Sequence, residues 1–468
     1  MLYVSTRGEA PQLAFEDAML AGLARDGGLY VPAAWPSLTP DAIAEFGRKP
    51  FAEVATGILH LFAGGAITSS DALGLARAAY ARFGHPAVTP LVQVDHNLWV
   101  LELFHGPTLA FKDVAMQLLA RLMERVLEAR GERAVIVVAT SGDTGGAAVE
   151  AFRGAKRADV VVLFPNNRVS DVQRRMMTTP DGPNIHALAI EGTFDDCQAL
   201  VKGMFNDLGF RDRMHLAAVN SINWARIVAQ ITYYIVAATS LGGPRRAVSF
   251  AVPTGNFGDI LAGYAARRMG LPVGRLVIAT NENDILRRAH ETGLYETRAV
   301  TATSSPSMDI QVSSNFERYL FEAAGRDAAW VRAKMGALQQ SGRFELDRAL
   351  APLRADFEAA SASATDVADV IRTTRRASGY LLDPHTACAM VAARKTARPQ
   401  VPMIVLATAH PAKFPDALQA ITGERPPLPD RLAGLMTSPE RFSVLPNDLA
   451  AVQRFVTERV KANQGAVA

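Results

Sequence analysis

The chain has 468 residues, of which 49% are hydrophobic and 20% charged, with a formal net charge of +3. That balance fits a soluble globular protein of two or three domains and excludes a disordered chain. No basic run with interleaved aromatics occurs, so nucleic-acid binding is not expected and any anion must be held by local sites.

Two cysteines, Cys197 and Cys388, imply no disulfide framework and point to a reducing compartment. Neither belongs to a Cys/His cluster, so no metal site is expected. The start, MLYVSTRGEAPQLAF, lacks the apolar stretch of a signal peptide, and no apolar run is long enough to span a bilayer. The expectation is a cytoplasmic protein with no membrane contact.

The first ninety or so residues read as mixed and mainly helical, broken at Pro32, Pro36 and Pro40. From Leu98 onward, short apolar runs alternate with amphipathic helices. Ala134–Thr140, Asp159–Phe164, Ile185–Ile190, Ala247–Val252, Leu276–Thr280 and Met403–Thr408 read as buried strands. Such runs suit a parallel sheet covered on both faces, hence an α/β architecture. Ala115, Leu118, Leu119, Leu122, Met123, Val126 and Leu127 form one apolar stripe, a helix that Gly131 ends. Residues 323–376 read as helical without a chemical motif, and the last forty residues as a terminal appendage.

Five motifs carry chemistry. In ELFHGPTLAFKD, Lys112 follows Phe111 at an element boundary. A lysine that attacks an aldehyde needs a semi-apolar pocket to keep its amine neutral, and Ala110 and Phe111 offer such walls. Taken alone, a solvated lysine is the commoner case. ATSGDTGG follows one strand and PTGNFGD another, each leading into a helix. Strand, glycine turn, helix is the arrangement that gathers backbone N–H groups around an anion. Neither loop is a P-loop or a dinucleotide fingerprint. Two such cradles suggest two anionic groups, on one ligand or two. NSINWAR offers either a helix cap with a surface arginine or a phosphate contact through Arg226. In MIVLATAHPAKF, Thr408 ends a strand where ligands of open α/β sheets lie. His105 and His410 read as structural.

These motifs stand in the order found in threonine synthases, and the chain resembles the longer bacterial and fungal kind. YVSTRG, DGGLYVP, ATNEN and SMDIQVSSNFER extend the resemblance. It is weakest at about 323–376 and in the final forty residues. The resemblance implies a pyridoxal-phosphate (PLP) enzyme of fold type II, like the tryptophan synthase β subunit. Two open α/β domains would follow an N-terminal domain, with boundaries at 1–97, 98–219 and 220–468. Lys112 would carry PLP covalently, with Phe111 and Asp143 beside it. Gly255, Asn256, Phe257 and Gly258 would hold the cofactor phosphate, and Thr408 the pyridine nitrogen. Relatives of this fold often carry Asn where Asp143 stands, which leaves its role open. Thr140, Ser141 and Thr144 would bind the substrate carboxylate, and Asn220, Ser221 and Arg226 its phosphate. The implied reaction turns O-phospho-L-homoserine and water into L-threonine and phosphate, in a monomer or homodimer. The rivals are a serine or threonine dehydratase, which lacks a substrate-phosphate site, and a silent relative that binds phosphorylated ligands. The cleft is expected between the 98–219 domain, carrying Lys112 and TSGDTG, and the later domain, carrying PTGNFG and Thr408.

Overall fold

A computed structural model describes residues 1–465. Two open sheets organise the chain. The larger has six strands in the order Phe357–Ser361, Val273–Thr280, Val248–Pro253, Met403–Ala407, Leu98–Glu102, Leu91–Asp95. All neighbours are parallel except the last pair. The smaller has five parallel strands in the order Ser443–Pro446, Ile185–Glu191, Ala158–Pro165, Ala134–Ala139, Leu216–Ala217. The central strand Ala158–Pro165 is buried at every position, as β-branched and apolar residues covered on both faces should be. The expected strands are present with ends shifted by at most three residues.

The domain boundaries need correction. Leu98–Glu102 was expected to open the smaller domain. It instead pairs with Met403–Ala407 and Leu91–Asp95 and lies inside the larger sheet. Its buried Leu98, Val100 and Leu101 have their backbone partners there. The appendage, expected with the larger domain, sends Ser443–Pro446 alongside Ile185–Glu191 of the smaller sheet. Val452, Val456 and Val460 then pack under that sheet with Val161, Leu188 and Cys197. Residues 323–376 are helical at Ala328–Ser341, Leu350–Asp356 and Ala364–Ser378, but they also hold the edge strand Phe357–Ser361. In the N-terminal region, four helices accompany an antiparallel sheet of Leu2–Ser5, Leu13–Ala14 and Tyr30–Pro32.

The striped helix spans Lys112–Arg130 and ends on Gly131, whose φ of 67° favours glycine. Lys112 is its first residue. The strand ends and this helix start face one another at the junction of the two sheets, and the site lies there.

Candidate active site

Lys112 enters the site because Phe111, just before it, donates its backbone N–H to the carbonyl of Thr408 at 2.9 Å. An isolated bridge between Ala110 and Ala409 reinforces the join. The helix start is thereby fastened to the end of Met403–Ala407. Lys112 is 9% exposed, with Nζ 5.4 Å from the centre of the Phe111 ring. Nζ donates to Asp143 Oδ2 at 3.1 Å and to Ser307 Oγ at 3.4 Å. Burial pushes the amine below its ordinary pKa; Asp143 opposes this, while Lys413 and Arg226 add to it.

Asp143 is the hub. It opens the helix Asp143–Phe152 and is 4% exposed. Its Oδ1 accepts from Lys413 Nζ at 2.7 Å and from Gln173 Nε2 at 3.0 Å. Burial alone would raise its pKa, but the charges of Lys112 and Lys413 outweigh it and hold the carboxyl well below the usual range. Ser307 stands between Asp143 and the glycine turn. Its Oγ lies 3.4 Å from Asp143 Oδ2, and its N–H donates to His385 Nε2 at 3.3 Å. His385 is oriented in turn by Asp383, 2.8 Å from Nδ1.

The turn Gly255–Gly258 crosses from Val248–Pro253 into the helix Gly258–Arg268. A Cβ on Gly255 would stand 2.8 Å from the Ser307 carbonyl, so only glycine fits. Among the described residues, the N–H groups from Gly255 to Ile260 find no protein acceptor. A row of free donors at a helix start suits an anion such as a phosphate. Phe257 differs from expectation. Its φ is 62°, and its ring, 1% exposed, packs against Phe316, Tyr319 and Phe357, so only its backbone faces the cradle. Asn256 faces the NSIN loop: Ser314 Oγ is 3.4 Å from both Asn256 Oδ1 and Ser221 Oγ. Asn315 ties the two loops by donating to the Ser221 and Asn256 carbonyls. Asn220 is exposed at the rim, and Asn223 is the residue that caps the following helix.

In the TSGDTG loop, Ser141 and Thr144 are half-buried and their amides, with that of Asp143, have no protein acceptor among the described residues. Thr140 is committed elsewhere. Its hydroxyl accepts from the amides of Gly142 and Gly145 at 2.9 and 3.0 Å and so shapes the loop.

Arg226 is not the surface arginine of a cap. It is 3% exposed, and burial lowers its guanidinium to about 10. Among the described residues it donates only to the Val219 carbonyl, at 3.2 Å, and its Nε is buried without a partner. Sequence reasoning did not pick out Lys413, Ser307, His385, Asp383 or Gln173. Lys413 and Ser307 lie inside motifs already quoted, TAHPAKF and SMDIQVSSNFER, so a charged residue one turn past Thr408 was the available signal. His105 is held by Glu102 at 2.7 Å, and burial lowers His410 to about 4, in keeping with structural roles.

A buried amine of lowered basicity near a row of free amide donors is compatible with PLP, and the pyridoxal-phosphate dependent enzyme family matches residues 83–408. Threonine synthase N-terminal and C-terminal families match residues 2–80 and 386–456. The chain is 52% identical to a threonine synthase of Pseudomonas aeruginosa, over 98% of each. It is similar to the crystal structure of a PLP-bound threonine synthase from Brucella melitensis, with 59% identity and a TM-score of 0.95 over 98% of this chain and 99% of that one. A yeast threonine synthase structure matches with 38% identity and a TM-score of 0.92, over 98% and 99%. The chain belongs to the threonine synthase family.

Proposed function

We propose that the enzyme converts O-phospho-L-homoserine and water to L-threonine and inorganic phosphate. The observation that carries this is Arg226. A guanidinium buried beside Lys112 without a carboxylate partner calls for an anion from the ligand. A dehydratase substrate, with a plain hydroxyl, supplies none there. Two phosphates need two cradles. Gly255, Asn256, Gly258 and the Phe257 backbone hold that of PLP, while Asn220, Ser221 and Arg226 hold that of the substrate. The amides of Ser141, Asp143 and Thr144 take the substrate carboxylate, with Thr140 shaping their loop. Thr408 would hydrogen-bond the pyridine nitrogen, and Phe111 would wall the pocket.

PLP, when bound, supplies the electron sink. Lys112 would hold it, and the Lys112 amine would take the proton from Cα and then from Cβ of the substrate. It would return one proton to Cγ once the phosphate has left and one to Cα once water has added at Cβ. Arg226 holds the phosphate as the Cγ–O bond breaks, and water adds at Cβ. The two sheets bound a cleft that closes on substrate and excludes bulk water.

The test is direct. Purified enzyme given O-phosphohomoserine should release phosphate and threonine in equal amounts; release of a keto acid and ammonia instead would favour the dehydratase. Both cysteines are buried and unpaired, and no described helix is long and apolar enough to cross a membrane. The enzyme is accordingly proposed to work in the cytoplasm, as a monomer or homodimer.

A further inference from the structure

The two oxygens of Asp143 have different company. Oδ2 faces Lys112, whose bonding must change during turnover. Oδ1 faces Lys413 at 2.7 Å and Gln173 at 3.0 Å, neither of which the chemistry consumes. Lys413 is 1% exposed and its Nζ also donates to the Thr108 carbonyl at 2.8 Å. It lies in the short turn Pro411–Lys413, immediately beyond Met403–Ala407. One ammonium thus joins the end of the larger sheet, the loop that leads to Lys112, and the loop that opens the smaller sheet's first helix.

A carboxylate buried this deeply stays ionised only beside a cation. Lys112 cannot serve throughout. Its amine is a charged partner in one state, covalently engaged in another and a neutral base in a third. We propose that Lys413 is a positioning residue: it keeps the Asp143 carboxylate ionised and in place while Lys112 changes its bonding and its charge. Its own charge also disfavours an ammonium at Lys112, which helps to keep that amine a base. The other titratable groups around the pair are Arg226, from the helix Trp224–Ser240, His385, from Pro384–Thr396, and Asp113, one residue past Lys112. The inference rests on the reading of Lys112 as the cofactor-bearing residue.

The test uses the cofactor-free protein, so it does not depend on substrate or turnover. Trace acetylation across a pH series, read by mass spectrometry on the Lys112 peptide, gives the midpoint at which that amine loses its proton. Removing the Lys413 charge leaves Lys112 as sole counter-ion of Asp143, so its ammonium form is favoured. Lys413→Met should raise the midpoint by about one pH unit. Lys413→Arg, which keeps the charge, should leave it near wild type. Lys413→Met with Asp143→Asn should bring it back down, because the pair is then neutral. Lys413→Gln carries the same expectation as Lys413→Met should the latter not fold, and circular dichroism reports folding. A merely structural role would lower thermal stability without moving the midpoint. A midpoint unmoved or lowered by Lys413→Met or Lys413→Gln overturns the proposal. Borohydride trapping of PLP on Lys112 tests the underlying reading separately.

Discussion

Arg226 and Arg318 are buried alike but kept in different company. Arg318 donates to the carbonyls of Tyr30 and Ile222 and to Asn315, and lies over the Trp224 ring. Arg226 has one carbonyl. A charge left unpaired by the fold costs stability, and on the function proposed above it is the substrate phosphate that would pair it. Arg226→Met should therefore stabilise the substrate-free enzyme by about 1–3 kcal/mol, seen in thermal unfolding. The same change should weaken O-phosphohomoserine by ~1.5–3 kcal/mol, one to two decades in affinity, and spare PLP. A variant that loses PLP but keeps its substrate would mean that the two cradles are reversed. Lys112→Ala should abolish turnover yet fold, because Asp143 keeps Lys413. Borohydride should label Lys112 in the parent protein; a label on another lysine refutes the assignment. Lys112 and Asp143 were named through the family resemblance of their motifs, since alone Lys112 read as a solvated lysine and the role of Asp143 stayed open. Ser307 and Lys413 were not named. Ser307 reaches Lys112 across 195 residues, and Lys413 reaches Thr108 across 305, and such pairings are set by topology rather than by local pattern.

The Gly255–Gly258 turn shows how an element's end becomes a site. Its tightness comes from contact with the Ser307 carbonyl, since Gly255 itself has no left-handed φ. Gly255→Val should push the Ser307 segment away from Lys112 and weaken PLP binding. Titrating the visible absorbance with PLP measures this, and an unchanged affinity would contradict the close contact. Behind the turn, Tyr233 and Tyr234 both donate to Asp259 Oδ1, at 2.5 and 2.9 Å, joining the helices Trp224–Ser240 and Gly258–Arg268. Burial raises Asp259 from 3.8 to about 7. With the folded pKa above the unfolded one, this group's contribution falls as pH rises from 3.8 to about 7. Asp259→Asn accepts the same two hydroxyls without a proton to lose. Its thermal midpoint should rise relative to the parent across that window, and a constant difference would remove Asp259 as the titrating group. Strands were the most legible elements, because runs such as Val160–Phe164 are apolar throughout. Phe357–Ser361, reading FEAAS, was hidden by its alanines and by a half-buried run at a sheet edge that shows neither alternation nor a continuous apolar stretch.

At the scale of the molecule, the proposed cleft lies between two sheets that Lys112, Asp143 and Lys413 bridge at the site. O-phosphohomoserine, or an unreactive phosphonate analogue, should draw the smaller sheet toward the larger, and PLP alone should not. Small-angle scattering would record a reduced radius of gyration; identical profiles would leave loop motion as the only gate. Which strand joins which sheet was the least legible property, because parallel pairing is decided by partners far along the chain. The clearest case is Ser443–Pro446, which completes a sheet whose other strands all lie before residue 218. That arrangement has a consequence for synthesis. A ribosome adding ~5–20 residues per second exposes the Ile185–Glu191 edge for tens of seconds before its neighbour emerges. Throughout that interval the nascent chain presents an unpaired, largely apolar strand edge, the kind that recruits a second chain. The last strand to be translated is the one that closes it.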